Sequence, residues 1–159
     1  MKKTLLTTPL FLVFSSLFAQ TNFSGSYRID TARIIFEQAP HWVLPVSFKL
    51  DQQGTKVTLT RNIVDAQGNA SSNTEQLNAG DTVTAAITGN QLRKTIIVWS
   101  ADRSSFTLTY FTTDTIGKRL NKATEKWSLL DEGKTLVLDR FVEQANGLHY
   151  SIIGYYTKQ

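Results

Sequence analysis

Four charged residues fall where a β-strand would carry them on an apolar face. Counted by twos, Arg61 travels with Val57, Leu59 and Ile63, and Arg140 with Leu136 and Leu138. Glu125 travels with Ala123, Trp127 and Leu129, and Lys94 with Leu92, Ile96 and Val98. A charge on a dry face is costly unless it is paired or given a ligand. Facing inward, Arg61 and Arg140 would hold an anionic head group by charge-assisted hydrogen bonds while aliphatic walls take its tail. Tyr110 and Tyr155 are the candidate hydroxyl partners, and Trp99 and Trp127, with Trp42, the candidate apolar lining. The ligand-binding set is therefore Arg61, Arg140, Tyr110, Tyr155, Trp99 and Trp127. Plainer readings stay open beside it. A long Arg at a wet rim snorkels into water, Glu125 and Arg140 on one hairpin can neutralise each other, and a bulge would invert every count. Aromatics can equally be plain core.

Other chemistries find little support. The chain has no cysteine, which removes thiolate catalysis, disulfides and a lipid anchor on an N-terminal cysteine. His41 and His149 stand 108 positions apart with no acidic companion at metal-ligand spacing. There is no G-x-S-x-G elbow and no glycine-rich phosphate loop. Scattered carboxylates single out no acid–base pair. The expectation is no catalytic residue, no metal and no cofactor.

The elements that must position these residues are strands. Phe23, Gly25, Tyr27 and Ile29 alternate with polar neighbours, as do Val46, Phe48 and Leu50, then Val57 to Ile63. Ser71 to Leu77, Leu92 to Trp99 and Ser104 to Thr113 follow, then a hairpin from Thr124 to Phe141 around Asp131-Glu132-Gly133-Lys134, and a last strand from Leu148 to Tyr156. Turn residues at Gln53-Gly54, Gln67-Gly68-Asn69, Gly89-Asn90, Ala101-Asp102-Arg103 and Asn146-Gly147 punctuate them. Helical turns are allowed only at Thr31 to Glu37, with Thr31 as cap, and at Asp81 to Ile87. The fold class is all-β, an antiparallel up-and-down meander. Closure into a barrel of eight to ten strands hides both edges; a two-sheet sandwich is the alternative.

Phe23-Ser24-Gly25-Ser26-Tyr27-Arg28-Ile29 resembles the F-S-G-T-W-K-L opening of small exported bacterial lipocalin-like (calycin-type) proteins. Thr124 to Leu136 resembles their T-E-K-W-S-L-S-D-D-G-K-T-L hairpin, Gly154 to Lys158 their final V-Y-x-K strand, and Leu77-Asn78-Ala79-Gly80 an L-D-G pattern. The resemblance implies a lipocalin-like barrel and export, and no particular activity. It also implies that Tyr27, standing where the G-x-W motif has Trp, plugs one barrel end beneath a cation from Lys158 or Arg140, unless Tyr27 is simply a core aromatic. Fatty-acid-binding relatives of this architecture use interior Arg and Tyr to hold an anionic head group.

Residues 1–19 read as a signal peptide and 20–159 as one domain. Lys2 and Lys3 precede an apolar run from Leu5 to Phe18, and Ala19 is a small residue before the cut. At fourteen residues the run is short of the roughly 20 that span a bilayer. Without Lys2 and Lys3, 15 Lys and Arg face 13 Asp and Glu, dispersed along the chain, so neither nucleic acid nor stable membrane insertion after signal removal is expected. The sequence thus describes an exported protein, periplasmic or extracellular. Its expected partner is a small apolar or amphiphilic molecule, anionic as an option, bound in a barrel cavity without catalysis. The alternative is a filled barrel acting as a non-catalytic structural or protein-interaction module of the cell envelope. A hydrolase or isomerase would need an acid–base pair with perturbed pKa values converging in the barrel mouth.

Overall fold

The computed structural model describes residues 21–37, 39, 43–87 and 90–159. The expected signal peptide lies outside the described residues, as do His41 and Trp42. Among the described residues eleven strands follow one another: β1 Gly25–Ile29, β2 Ile35–Glu37, β3 Ser47–Gln53, β4 Lys56–Val64, β5 Ala70–Asn78, β6 Thr82–Ile87, β7 Gln91–Trp99, β8 Ser105–Thr113, β9 Arg119–Leu130, β10 Thr135–Gln144 and β11 His149–Lys158. All pair antiparallel in a single sheet ordered β5-β4-β3-β1-β11-β10-β9-β8-β7-β6, with β2 alongside β11. One sheet curling on itself, and not two packed sheets, is the architecture. It is a nearly closed ten-stranded meander of the lipocalin-like type expected.

Alternation drives this arrangement. In β8, Phe106, Leu108, Tyr110 and Thr112 are buried and every residue between them is half-buried. In β4 the inward set is Val57, Leu59 and Arg61, and in β9 it is Ala123, Glu125 and Trp127. β1 joins the ends of the meander, pairing Tyr27 with Phe48 of β3 on one side and with Lys158 of β11 on the other. β2 completes that flank by setting Phe36 opposite Ile152. Among the described residues, no ladder joins β5 to β6, so the wall has one unlaced seam.

Of the two places allowed a helical turn, one becomes a strand and the other keeps a short turn. Asp81 to Ile87 is a strand, β6, because Val83, Ala85 and Ile87 turn inward between exposed Thr82, Thr84 and Ala86 and pair along β7. Thr31 to Glu37 holds only a 3-10 turn, Thr31–Arg33, before β2 begins. Its cap is Asp30, whose Oδ1 accepts from the Ala32 amide at 3.1 Å, and not Thr31.

The two ends of the barrel are built differently. One end carries the turns after β3, β5, β7 and β9, and its interior is solid. Phe23 packs edge-on to Phe106 (centroids 4.9 Å) and Trp99 (5.8 Å), Phe106 stacks on Trp127 at 5.6 Å, and Trp127 meets Phe48 at 4.7 Å. Tyr27 is fully buried beneath them and donates its hydroxyl to the Phe23 carbonyl at 3.0 Å. Lys158 Nζ lies 5.7 Å from the Tyr27 ring centroid, so the cation implied by the G-x-W resemblance comes from Lys158; Arg140 belongs to the opposite end.

The other end carries turns of one repeated design. Asp65 Oδ1 accepts from the amides of Gln67 (2.9 Å) and Asn69 (2.8 Å), and Asp114 Oδ1 from those of Ile116 (3.1 Å) and Lys118 (2.8 Å). In both turns the fourth residue is a glycine at positive φ, Gly68 at 86° and Gly117 at 84°, where a side chain would be strained.

Candidate binding site at the open end of the barrel

Above the aromatic half, the inward positions of five strands become charged. Arg61 on β4, Glu75 on β5, Arg93 on β7, Glu125 on β9 and Arg140 on β10 converge, with Tyr110 of β8 among them. Arg61 is the centre. Its Nη1 lies 2.5 Å from Glu75 Oε2 and its Nη2 2.9 Å from Glu125 Oε2, and Nη2 also donates to the Tyr110 hydroxyl. That hydroxyl in turn donates to Glu125 Oε2 at 2.8 Å. The Arg61 guanidinium also stands 5.8 Å from the Trp127 ring, which makes Trp127 the floor between the two halves.

Two further arginines flank this core. Arg93 Nη2 binds Glu75 Oε1 at 2.9 Å, an oxygen that also accepts from Thr95 Oγ1 at 3.3 Å. Arg93 sits opposite Ala85 of β6, whose small side chain leaves the guanidinium room to cross to β5. Arg140 donates from Nη1 to the Val43 carbonyl at 3.0 Å and lies 3.7 Å from Glu125 Oε1. The Nε atoms of Arg93 and Arg140 are buried and have no hydrogen-bond partner among the described residues.

Burial and charge set the protonation states. Burial alone would raise the Glu125 carboxyl, but Arg61, Arg140 and the Tyr110 hydroxyl hold it below the ordinary carboxylate range. Burial pushes the Tyr110 phenol well above its usual value despite Arg61 beside it. Burial would pull Arg61 down, yet Tyr110, Glu125 and Glu75 outweigh it and hold the guanidinium charged. Three fixed cations thus face two carboxylates, and the cluster carries one net positive charge.

A cavity of about 170 Å³ opens above the cluster, walled by Val43, Ile63, Ile87 and Ala123 and bordered by Arg93 and Arg140. The arrangement can place a polar, preferentially anionic group against the arginines and an apolar group against the aliphatic wall. Among the described residues, no group of three or more His, Asp or Glu is placed to hold a metal ion.

The structure brings together three of the six residues predicted from sequence and places the others elsewhere. Arg61, Arg140 and Tyr110 meet at the open end, with Glu125, which the face count also turned inward. Arg61, however, already gives three hydrogen bonds, to two carboxylates and the tyrosine. Trp127 is the buried floor, and Trp99 lies in the closed half, donating from Nε1 to the Thr55 carbonyl at 3.2 Å. Tyr155 is not in the cavity. It faces outward beneath Arg33, 4.4 Å from its ring centroid, because Gly154 and Tyr156 take the inward positions of β11. Tyr156 donates to the Pro45 carbonyl at 3.1 Å. Lys94 also faces outward, with Leu92 and Val98 exposed beside it. The inward face of β7 is Arg93, Thr95, Ile97 and Trp99, so Arg93 and Glu75 are the residues the sequence reading missed. Counting β7 from its heaviest aromatic, Trp99, would have found Arg93.

No protein-family model matches the sequence, and no curated protein matches it. Solved structures do resemble the fold. Zebrafish ileal bile acid-binding protein, complexed with cholic acid, aligns over 86% of this chain and 98% of its own at 14% identity, with a TM-score of 0.54. The fatty-acid-binding protein from Manduca sexta aligns over 86% of this chain and 99% of its own at 13% identity, with a TM-score of 0.49.

Proposed function

We propose that this protein is an exported, non-catalytic carrier that binds a small apolar or amphiphilic molecule in the open half of its barrel. The observation that carries this reading is the cavity itself, a hollow of about 170 Å³ lined by aliphatic side chains and by Arg61, Arg93 and Arg140, above a packed aromatic half. The fold of the cholic acid-bound zebrafish protein is consistent with it, as is the charged-then-apolar start of the chain with export to the periplasm or beyond. The reading as non-catalytic is supported by the two buried acids at the centre of the cluster. Glu125 is held ionised and Tyr110 protonated, and neither is poised to exchange a proton near neutral pH. A wholly filled barrel, the envelope-module alternative, describes the closed half alone.

Native mass spectrometry of the protein purified from its host, with solvent extraction of the same sample, tests the reading. A co-purifying small molecule of defined mass supports it. A bare chain that also leaves apolar fluorescent probes unbound overturns it.

A further inference from the structure

The carrier reading leaves open what class of molecule the cavity accepts, and charge and volume together narrow it. We propose that the guest is a small monoanion, a carboxylic acid of about the bulk of benzoate or a short branched chain, with its carboxylate accepting from Arg93 and Arg140. The inference rests on the carrier reading and deepens it.

Charge comes first. Arg61 spends its guanidinium on Glu75, Glu125 and Tyr110, and its side chain is only 6% exposed. The surplus positive charge therefore lies on Arg93 and Arg140, whose side chains are 23% and 24% exposed and border the same cavity. Arg140 is held only loosely by Glu125, at 3.7 Å. A carboxylate set against the exposed parts of both guanidinium groups supplies one negative charge and brings the cluster to neutrality. A neutral guest leaves the surplus charge uncompensated. A dianion overshoots it, and a cation adds to it.

Volume comes second. About 170 Å³ is below the roughly 300–1,000 Å³ of pockets for drug-sized ligands and near the roughly 150 Å³ of an engineered cavity that admits benzene. It cannot deepen, because its floor is the Arg61–Glu125–Tyr110 network and Trp127 lies beneath. The space that a long alkyl chain would need is occupied by the rings of Phe48, Phe106 and Trp127. What remains is room for one ring or a few methylenes beside Ile63 and Ile87.

Isothermal titration of the folded chain with benzoate, hexanoate, palmitate, benzyl alcohol, benzylamine and phthalate tests this. Benzoate or hexanoate should bind at least tenfold more tightly than the neutral, cationic and dianionic probes and than palmitate. Arg93→Gln and Arg140→Gln should each weaken benzoate at least tenfold and weaken benzyl alcohol by a clearly smaller factor. Arg140→Lys, which keeps the charge, should lose less and guards against a folding defect. Tighter binding of palmitate or of benzyl alcohol than of benzoate overturns the monoanion assignment while leaving a carrier. Failure of every probe, with no molecule co-purifying from the host, overturns the carrier reading too.

Discussion

The closed and open halves of this barrel share the same strands and differ by one inward step. On β4 the step runs from Leu59 to Arg61, on β8 from Leu108 to Tyr110, on β9 from Trp127 to Glu125 and on β10 from Leu138 to Arg140. Two residues along a strand is about 7 Å. Within that distance the interior passes from stacked rings to a five-membered ion cluster. The lesson is a division of labour: the dry half supplies burial, and the charged half is tolerated because each ion has been given a partner at the rim of a cavity.

Breaking the dry half should cost most. Trp127→Ala removes a fully buried indole that touches Phe48 and Phe106, and a loss of about 3–5 kcal/mol is expected in denaturant unfolding. A loss under about 1 kcal/mol would mean that the aromatic stack does not hold the barrel. Arg61→Met tests the other half. Stripping one partner from a buried ion cluster costs about 3–5 kcal/mol, and here the lower figure is expected because Arg93 and Arg140 remain beside the two glutamates.

Gly154→Ala probes the wall between the halves. A Cβ there would stand 2.9 Å from both Leu44 Cδ1 and the Tyr156 ring, and overpacking of about 1–3 kcal/mol should appear as a lowered unfolding midpoint.

Acid should separate the halves without mutation. The Glu125 pKa is lower folded than its ordinary value of 4.5, so below that value the unfolded chain binds the extra proton first. Its contribution is fully present above about pH 4.5 and is lost as pH falls through the depressed folded value. Midpoints measured from pH 6 to 3 should fall more steeply for the wild type than for Glu125→Gln, and parallel curves would contradict the ionised state assigned to Glu125. The smallest effect is expected at the closed tip, where Lys158→Ala removes a cation–π contact worth about 0.5–1 kcal/mol.

Strand parity explains how much of this was legible in the sequence. β4, β9 and β10 carry unambiguous apolar alternation, so Arg61, Glu125 and Arg140 were placed on the correct face from residue types alone. β7 offers two apolar faces, Leu92/Ile96/Val98 and Ile97/Trp99, and burial of its one aromatic, Trp99, decides between them against the residue count. β11 poses the same problem with adjacent tyrosines, resolved by Gly154, whose missing side chain admits Leu44 and the Tyr156 ring. Glu75 was invisible because β5 is polar at nearly every position and exposes seven of its nine residues, so no periodic signal marks its inward face. Which ions pair across the interior depends on curvature of the whole sheet, which no local pattern records.

The seam between β5 and β6 gives Glu75 a second employment. Its carboxylate reaches past the unstitched margin to Arg93 and Thr95 on β7 while also bracing Arg61. One side chain is thereby both a clasp on the wall and a counterweight for the cavity-facing cations. Any displacement of Arg93 would draw on the same carboxylate that clasps the seam, so the flank of the barrel and its open end share a single residue.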